Sequence, residues 1–219
     1  MLANRIRFEQ SSTELIQENK SSYQTCRANN IALHGAEDIV ATIHDVLSSE
    51  RIKLEQFIKT LFKSKHGANI QYFMPELMAL SLRNGPLMAV CGLRNADQEP
   101  LFLERYLESS IEKTISDIAG ETIPRSAITE IGNLAVAQPE YVRCLLASIN
   151  LHLHKTDTDW AVFTGIRTLK NALIKLNIPL LSLGMAHIDA IPYEDRSDWG
   201  GYYDEKPEVM AIKRNFLVR

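Results

Sequence analysis

Apolar residues along this chain fall into two periods, one near four residues and one near two. Leu54, Phe57, Ile58, Leu61 and Phe62 recur at i, i+3, i+4, i+7 and i+8. That spacing predicts a helix, with Ser48 or Ser49 to cap it and Gly67 to stop it. Residues 77–82 and 87–93 are two apolar runs separated by Arg83, Asn84, Gly85 and Pro86. Asn-Gly is a strong turn signal, so a β-hairpin is expected there. Residues 101–118 read as a helix with a polar face. Residues 128–136, ITEIGNLAV, have the apolar content of an interior strand. Pro139 suits the first position of the next helix, whose stripe is Val142, Leu145, Leu146, Ile149 and Leu153. A short strand over 160–163 follows, then a helix lined by Leu169, Ala172, Leu173 and Leu176, which Asn177 and Pro179 close. Residues 180–185 and 209–218 read as strands, and 189–207 as a loop. Upstream, residues 5–9 suit a short strand, 10–30 a polar arm and 36–47 a helix.

This order predicts an α/β protein: a mixed central sheet with flanking helices and a parallel βαβ part. The expected division is an N-terminal strand and polar arm over 1–34 and one domain over 35–219. A chain of 219 residues is long enough for one good core.

Composition narrows the function classes. A net charge of −3 gives no electrostatic reason to expect nucleic acid as a partner. Lys63 with Lys65 and Lys213 with Arg214 are basic clusters interrupted by acids, as on a solvated face. Cys26, Cys91 and Cys144 are odd in number and far apart, which suits reduced, packed thiols in a cytoplasmic protein. The N-terminal MLANRIRFEQ lacks the apolar core of a secretory signal, and no run approaches the ~18 apolar residues of a spanning helix. Contact with a membrane surface stays open. His152 and His154, two apart on a helix, point in nearly opposite directions, and His34, His44, His66 and His187 show no ligand spacing, so no metal site is expected.

The chemistry concentrates in ITEIGNLAV. A carboxylate in a buried strand costs several kcal/mol unless it is paired or used. Glu130 is therefore a candidate base or amine anchor, with its pKa raised by burial toward working pH. A structural salt bridge to Arg94 or Arg125 is the alternative reading. In a regular strand Glu130 and Asn133 point to opposite faces. A bulge at Gly132 would bring them to one face and release a backbone N–H.

Several segments resemble the thermostable hemolysin family: FMPELMAL at 73–80, LFLERYLESSIE at 101–112, EIGNLA at 130–135, WAVFTGIRTLKNALIKL at 160–176 and WGGYY at 199–203. A more distant similarity is to acyl-homoserine-lactone synthases, of the GCN5-related N-acyltransferase fold. Their glycine–x–arginine element matches Gly92–Leu93–Arg94, and their E-x-S-R-F-A-V strand matches EIGNLAV. Glu130 sits at the family glutamate. Gly132 replaces the serine and Asn133 the arginine, which leaves the family's own amine substrate in doubt.

The resemblance implies transfer of a fatty acyl group from a thioester to an amine such as an amino acid derivative. The strand of Glu130 and the next strand would splay around a pantetheine arm. Glu130 would be catalytic, with backbone N–H groups at Gly132 and Leu134 facing the oxyanion. Arg94, Glu104, Asn133, Phe163, Thr164 and Trp199 are the candidate substrate contacts; Arg94 also suits a structural partner, Glu104 a solvated helix face and Thr164 a helix cap. Trp199, Tyr202 and Tyr203 flank Gly200 and Gly201 in a loop suited to covering a pocket or to packing on the core. The donor would be an acyl carrier protein or coenzyme A, with no tightly bound cofactor. Ala137–Gln138–Pro139–Glu140–Tyr141 has no glycine, Pro139 removes an N–H and Glu140 adds a negative charge, so a pyrophosphate would be poorly held there. Acyl carrier protein is the better expected partner. The family name suggests the alternative, a membrane-lytic protein without catalysis.

Overall fold

The computed structural model describes residues 7–10 as backbone and residues 39–214 in full. The polar arm over 11–30 and Cys26 lie outside the described residues. One sheet organises the molecule. Its strands are β1 (Arg7–Gln10), β2 (Ile39–His44), β3 (Glu76–Leu82), β4 (Leu87–Asn95), β5 (Ile128–Val136), β6 (Trp160–Gly165), β7 (Leu181–Met185) and β8 (Glu208–Lys213), in the order β1-β2-β3-β4-β5-β6-β8-β7. Two pairings are parallel, β1 with β2 and β5 with β6, so the sheet is mixed as expected.

The helices are α1 (Arg51–His66), α2 (Ile111–Ala119), α3 (Val142–Lys155) and α4 (Arg167–Lys175). α1 ends where expected: Gly67 is left-handed at φ +66° and donates its N–H to the Lys63 carbonyl. α3 and α4 cover one face, packed on Ile131, Ala161, Phe163, Met210 and Ile212. The opposite face carries α1 on Leu77, Ala79 and Val90, and α2 with residues 101–103 on Ile128, Val162 and Val209.

Five local expectations are corrected. Residues 39–44 form a strand where a helix over 36–47 was expected. Paired with β3, the run IVATIH puts Ile39 and Ala41 on the α3 face and becomes interior sheet, a tertiary contact that outweighs its helical spacing. The helix expected over 101–118 is broken into a 3-10 turn at Phe102–Tyr106 and α2, because residues 107–110 stay extended or bent. α1 has Glu50 at its N-cap, with neither Ser48 nor Ser49 in that position. α4 has Ile166 at its N-cap with no side-chain cap, so Thr164 does not cap it. Residues 188–205 are a chain of 3-10 turns rather than an open loop.

Among the described residues no helix is long and apolar enough to cross a membrane. Cys91 and Cys144 are both buried, and burial pushes the Cys91 thiol up to about 12, far from a reactive thiolate.

Candidate active site

The site begins with a misfit in β5. From Gly132 back to Thr129 the strand pairs regularly with β4, and Val90 pairs with Ala135. Between these points Cys91 faces two residues, Asn133 and Leu134. The extra residue is a β-bulge one position later than expected, and Asn133 rather than Gly132 takes the left-handed conformation, at φ +48°. The bulge reverses the face parity of the strand. Glu130 and Gly132 lie on the α1/α2 face, and so does Ala135; Ile131, Leu134 and Val136 lie on the α3/α4 face. Asn133 joins the Glu130 face, where its Oδ1 accepts the Met74 N–H at 2.9 Å and its Nδ2 donates to the Tyr72 carbonyl at 3.0 Å. Gly132 packs against Met74: a Cβ there would lie 2.3 Å from its terminal methyl group, so that flexible side chain would have to shift.

On its other side β5 pairs with β6 only from Ile128–Trp160 to Ile131–Phe163. Both strands continue, but the ladder stops, and the strands part. A cavity of about 400 Å³ occupies the opening and passes from one face of the sheet to the other. Glu130, Tyr72, Phe102, Tyr106, Trp199 and Tyr203 line it on one side. Leu134, Val142, Leu146, Ile149, Leu169, Ala172 and Leu173 line it on the other.

Glu130 is 2% exposed. Its carboxylate accepts two backbone N–H groups, from Phe102 at Oε2 and Leu103 at Oε1, each at 2.9 Å. Burial raises its pKa to about 7; the two N–H donors and the charge of Arg94 oppose the shift without cancelling it. No guanidinium forms an ion pair with Glu130 among the described residues. The carboxyl is thus both the clamp of the 3-10 turn and a wall of the cavity.

Of the nine residues singled out from sequence, Glu130, Gly132, Asn133, Leu134, Phe163, Thr164 and Trp199 all line this cavity. Arg94 and Glu104 do not. Arg94, the cross-strand neighbour of Glu130, donates to the Pro100 carbonyl at 3.0 Å and to the Tyr72 hydroxyl and lies 3.5 Å from Glu99. Glu104 accepts Arg125 through both oxygens, at 2.6 and 2.8 Å, together with the N–H groups of Leu101 and Ile111. The Arg125 hydrogen bonds hold its pKa down to about 2. Both side chains brace the 100–111 segment that positions Phe102 and Leu103 over Glu130.

Sequence reasoning missed Tyr72, Phe102 and Tyr106. Tyr72 stacks on Phe102 at 5.2 Å between ring centres, Phe102 lies 5.7 Å from Trp199, and Trp199 lies 5.6 Å from both Tyr202 and Tyr203. The Tyr106 and Tyr203 hydroxyls share a hydrogen bond, and burial raises both phenol pKa values. Tyr202 donates to the Thr164 carbonyl at 3.3 Å. These rings come from three separate segments, and only WGGYY marked one of them in advance.

That loop is pinned to the end of α1. Gly201 donates to the His66 carbonyl at 2.7 Å, Asn69 to the Asp198 carbonyl at 2.7 Å, and His66 meets Glu205 at 3.0 Å. Gly200 has φ +50°, and a Cβ on it would lie 2.3 Å from the His66 carbonyl oxygen. Gly200→Ala is expected to destabilise the fold by about 2 kcal/mol or more and to loosen Trp199. Thermal melts together with near-ultraviolet circular dichroism check this; an unchanged melting temperature contradicts it.

The fold is shared with solved structures of low sequence identity. The AHL synthase LasI is 10% identical with a TM-score of 0.57, and the match covers 82% of this chain and 91% of that one. FeeM, an N-acyl amino acid synthase from uncultured soil microbes, is 13% identical with a TM-score of 0.54, covering 81% and 92%. TofI, solved in a ternary complex with an inhibitor and MTA, is 12% identical with a TM-score of 0.53, covering 80% and 91%. The sheet and its flanking helices are therefore of the expected GCN5-related N-acyltransferase-like type. Among curated proteins none matches. The family model described as thermostable hemolysin matches residues 44–216, and the chain belongs to that family.

Proposed function

We propose that residues 35–219 form an acyltransferase that moves a fatty acyl group from a thioester carrier to an amine. One observation carries this reading: the cavity crosses the sheet where β5 and β6 part, with a buried carboxyl on one face and an apolar tunnel on the other. An acyl chain fits the tunnel between α3 and α4, and the amine approaches from the Glu130 side. The amine nitrogen attacks the thioester carbonyl carbon. Glu130 takes the amine proton, and the backbone N–H of Leu134, just past the bulge, faces the developing oxyanion in the gap; Gly132, expected to share that role, pairs with Gly92 and turns its N–H to the β4 side. The C–S bond breaks as the C–N bond becomes an amide, and the proton passes to the departing sulfur. Phe163 and Thr164 flank the thioester arm, and Trp199 closes the amine side. Asn133, with both amide atoms engaged, shapes the pocket through Tyr72 and Met74. The neighbours LasI, an AHL synthase, and FeeM, an N-acyl amino acid synthase, support the same reaction class.

The donor is an acyl carrier protein in this reading. Within 137–142, Pro139 has no N–H, and the N–H groups of Ala137, Tyr141 and Val142 are already donated to Met88, Gln138 and Pro139 carbonyls. Little remains to cradle a pyrophosphate, whereas a carrier protein brings its own binding surface. A cytoplasmic location goes with such a donor. An amide with a long tail acts as a detergent, so lysis by the product would account for the family name without a pore.

The test supplies dodecanoyl-loaded carrier protein or dodecanoyl-coenzyme A with a panel of amines and measures amide by mass spectrometry against released thiol. Amide and thiol should appear one to one, with kcat/KM at least ~10-fold higher for the carrier protein, a difference of about 1.4 kcal/mol. No amide from either donor sinks the reading; equal use of both sinks its choice of donor.

A further inference from the structure

We infer that the acceptor is a primary amine without a carboxylate, its apolar or aromatic body held in the ring box formed by Tyr72, Phe102, Tyr106, Trp199 and Tyr203. This deepens the acyl-transfer reading and rests on it. The argument is one of charge. Among the described residues lining the cavity, the ionisable side chains other than tyrosine are Glu130, Lys65 and His66. Glu130 stands at the box, against Phe102. An amine that arrives as ammonium finds a carboxylate and the negative faces of several rings, a combination suited to a cation. It then loses its first proton to Glu130, because a neutral pair is favoured over an ion pair in a desolvated site; Glu130 passes that proton to the departing sulfur, takes the second as the amide forms, and releases it to solvent.

An α-carboxylate on the same acceptor would have no counterpart. Lys65 donates to the Val136 carbonyl, six residues along β5 from Glu130, or roughly 20 Å at strand spacing. His66 is turned toward Glu205, and burial holds its pKa below the ordinary histidine value despite that carboxylate. Arg94 lies outside the cavity, engaged with Pro100, Tyr72 and Glu99. Arg105 is exposed, with its guanidinium 3.8 Å from the Phe102 ring centre and its Nε on the Phe102 carbonyl. A carboxylate in the box would therefore sit desolvated beside a second carboxylate, which is strongly unfavourable.

The test gives the full-length protein dodecanoyl-loaded carrier protein and three acceptors that share a phenyl ring: phenethylamine, phenylalaninamide and phenylalanine. Phenethylamine and phenylalaninamide should be acylated with kcat/KM about 100-fold or more above phenylalanine, the size expected for an unpaired buried charge. Phenylalanine used as well as the other two, or better, overturns the inference and leaves acyl transfer standing. Calorimetry of the same compounds without donor separates the two failures. Phenethylamine that binds at least 10-fold tighter than phenylalanine, with no turnover, supports the box and sinks the transfer. Phenylalanine binding as tightly as phenethylamine overturns the box.

Discussion

Glu130→Gln is expected to lower kcat for acyl transfer by roughly 10²–10⁴-fold, the range for loss of a positioned base. The glutamine is nearly isosteric; its one amide oxygen keeps one of the two N–H groups of Phe102 and Leu103, while its NH2 faces the other, so the turn over the cavity loses one of its two clamps. What also disappears is the proton acceptor. The pH profile makes the test specific. With a folded pKa near 7, the wild-type base ionises as pH rises from 6 to 8, and kcat/KM should climb through that window. The variant's residual rate should lack this limb. Stability moves the opposite way. A carboxyl whose pKa is raised on folding stabilises the fold below its unfolded value near 4.5, and that contribution is lost as pH rises toward 7. The difference amounts to ~3 kcal/mol. Glu130→Gln should thus be less stable than wild type at pH 4 but lose less stability between pH 4 and 8, as read by urea melts. A loss of turnover under tenfold, with the rising limb unchanged, would reduce Glu130 to a clamp for residues 101–103.

Ala172→Phe is the second large effect. Ala172 lies on α4 and faces the apolar half of the cavity beside Leu169 and Leu173. A phenyl ring there fills the space that the far end of an acyl chain would occupy. Each methylene kept out of the tunnel forfeits about 0.8 kcal/mol, so excluding four costs ~3 kcal/mol, or about 200-fold in kcat/KM. Dodecanoyl transfer should fall by that order, while hexanoyl transfer stays within about threefold because the short chain ends before the block. The hexanoyl arm also controls for overpacking, which commonly costs 1–3 kcal/mol of stability. Equal losses with both chains would place the acyl group elsewhere.

The particular residues show where sequence reading stops. The spacing of Leu54, Phe57, Ile58, Leu61 and Phe62 with Gly67 behind it is sufficient for α1, because the helix is a local periodic object with a local stop signal. The same holds for the hairpin at Asn84–Gly85, although the strand that pairs with it was read as helix. Glu130 stands out because an acid in an otherwise apolar strand is a local anomaly. Its partners do not. The alternative reading paired it with Arg94 or Arg125, yet Arg125 holds Glu104 and Glu112, and Glu130 holds backbone N–H groups that carry no sequence signature. Arg94 and Glu104 were placed at the substrate by motif position, while their side chains turn to the segment that shapes the site.

The chain by itself determined the α/β plan, the strand that carries the carboxyl and the aromatic–glycine loop, since each is written in residue types a few positions apart. Only the tertiary structure decided that β5 bulges at Asn133, that its ladder with β6 ends at Ile131–Phe163, and that rings from residues 72, 102, 106, 199 and 203 meet beside Glu130. The reason is physical: a gap between strands and a box of rings arise from contacts across up to 97 residues of chain, and no local spacing encodes where such distant segments come to rest.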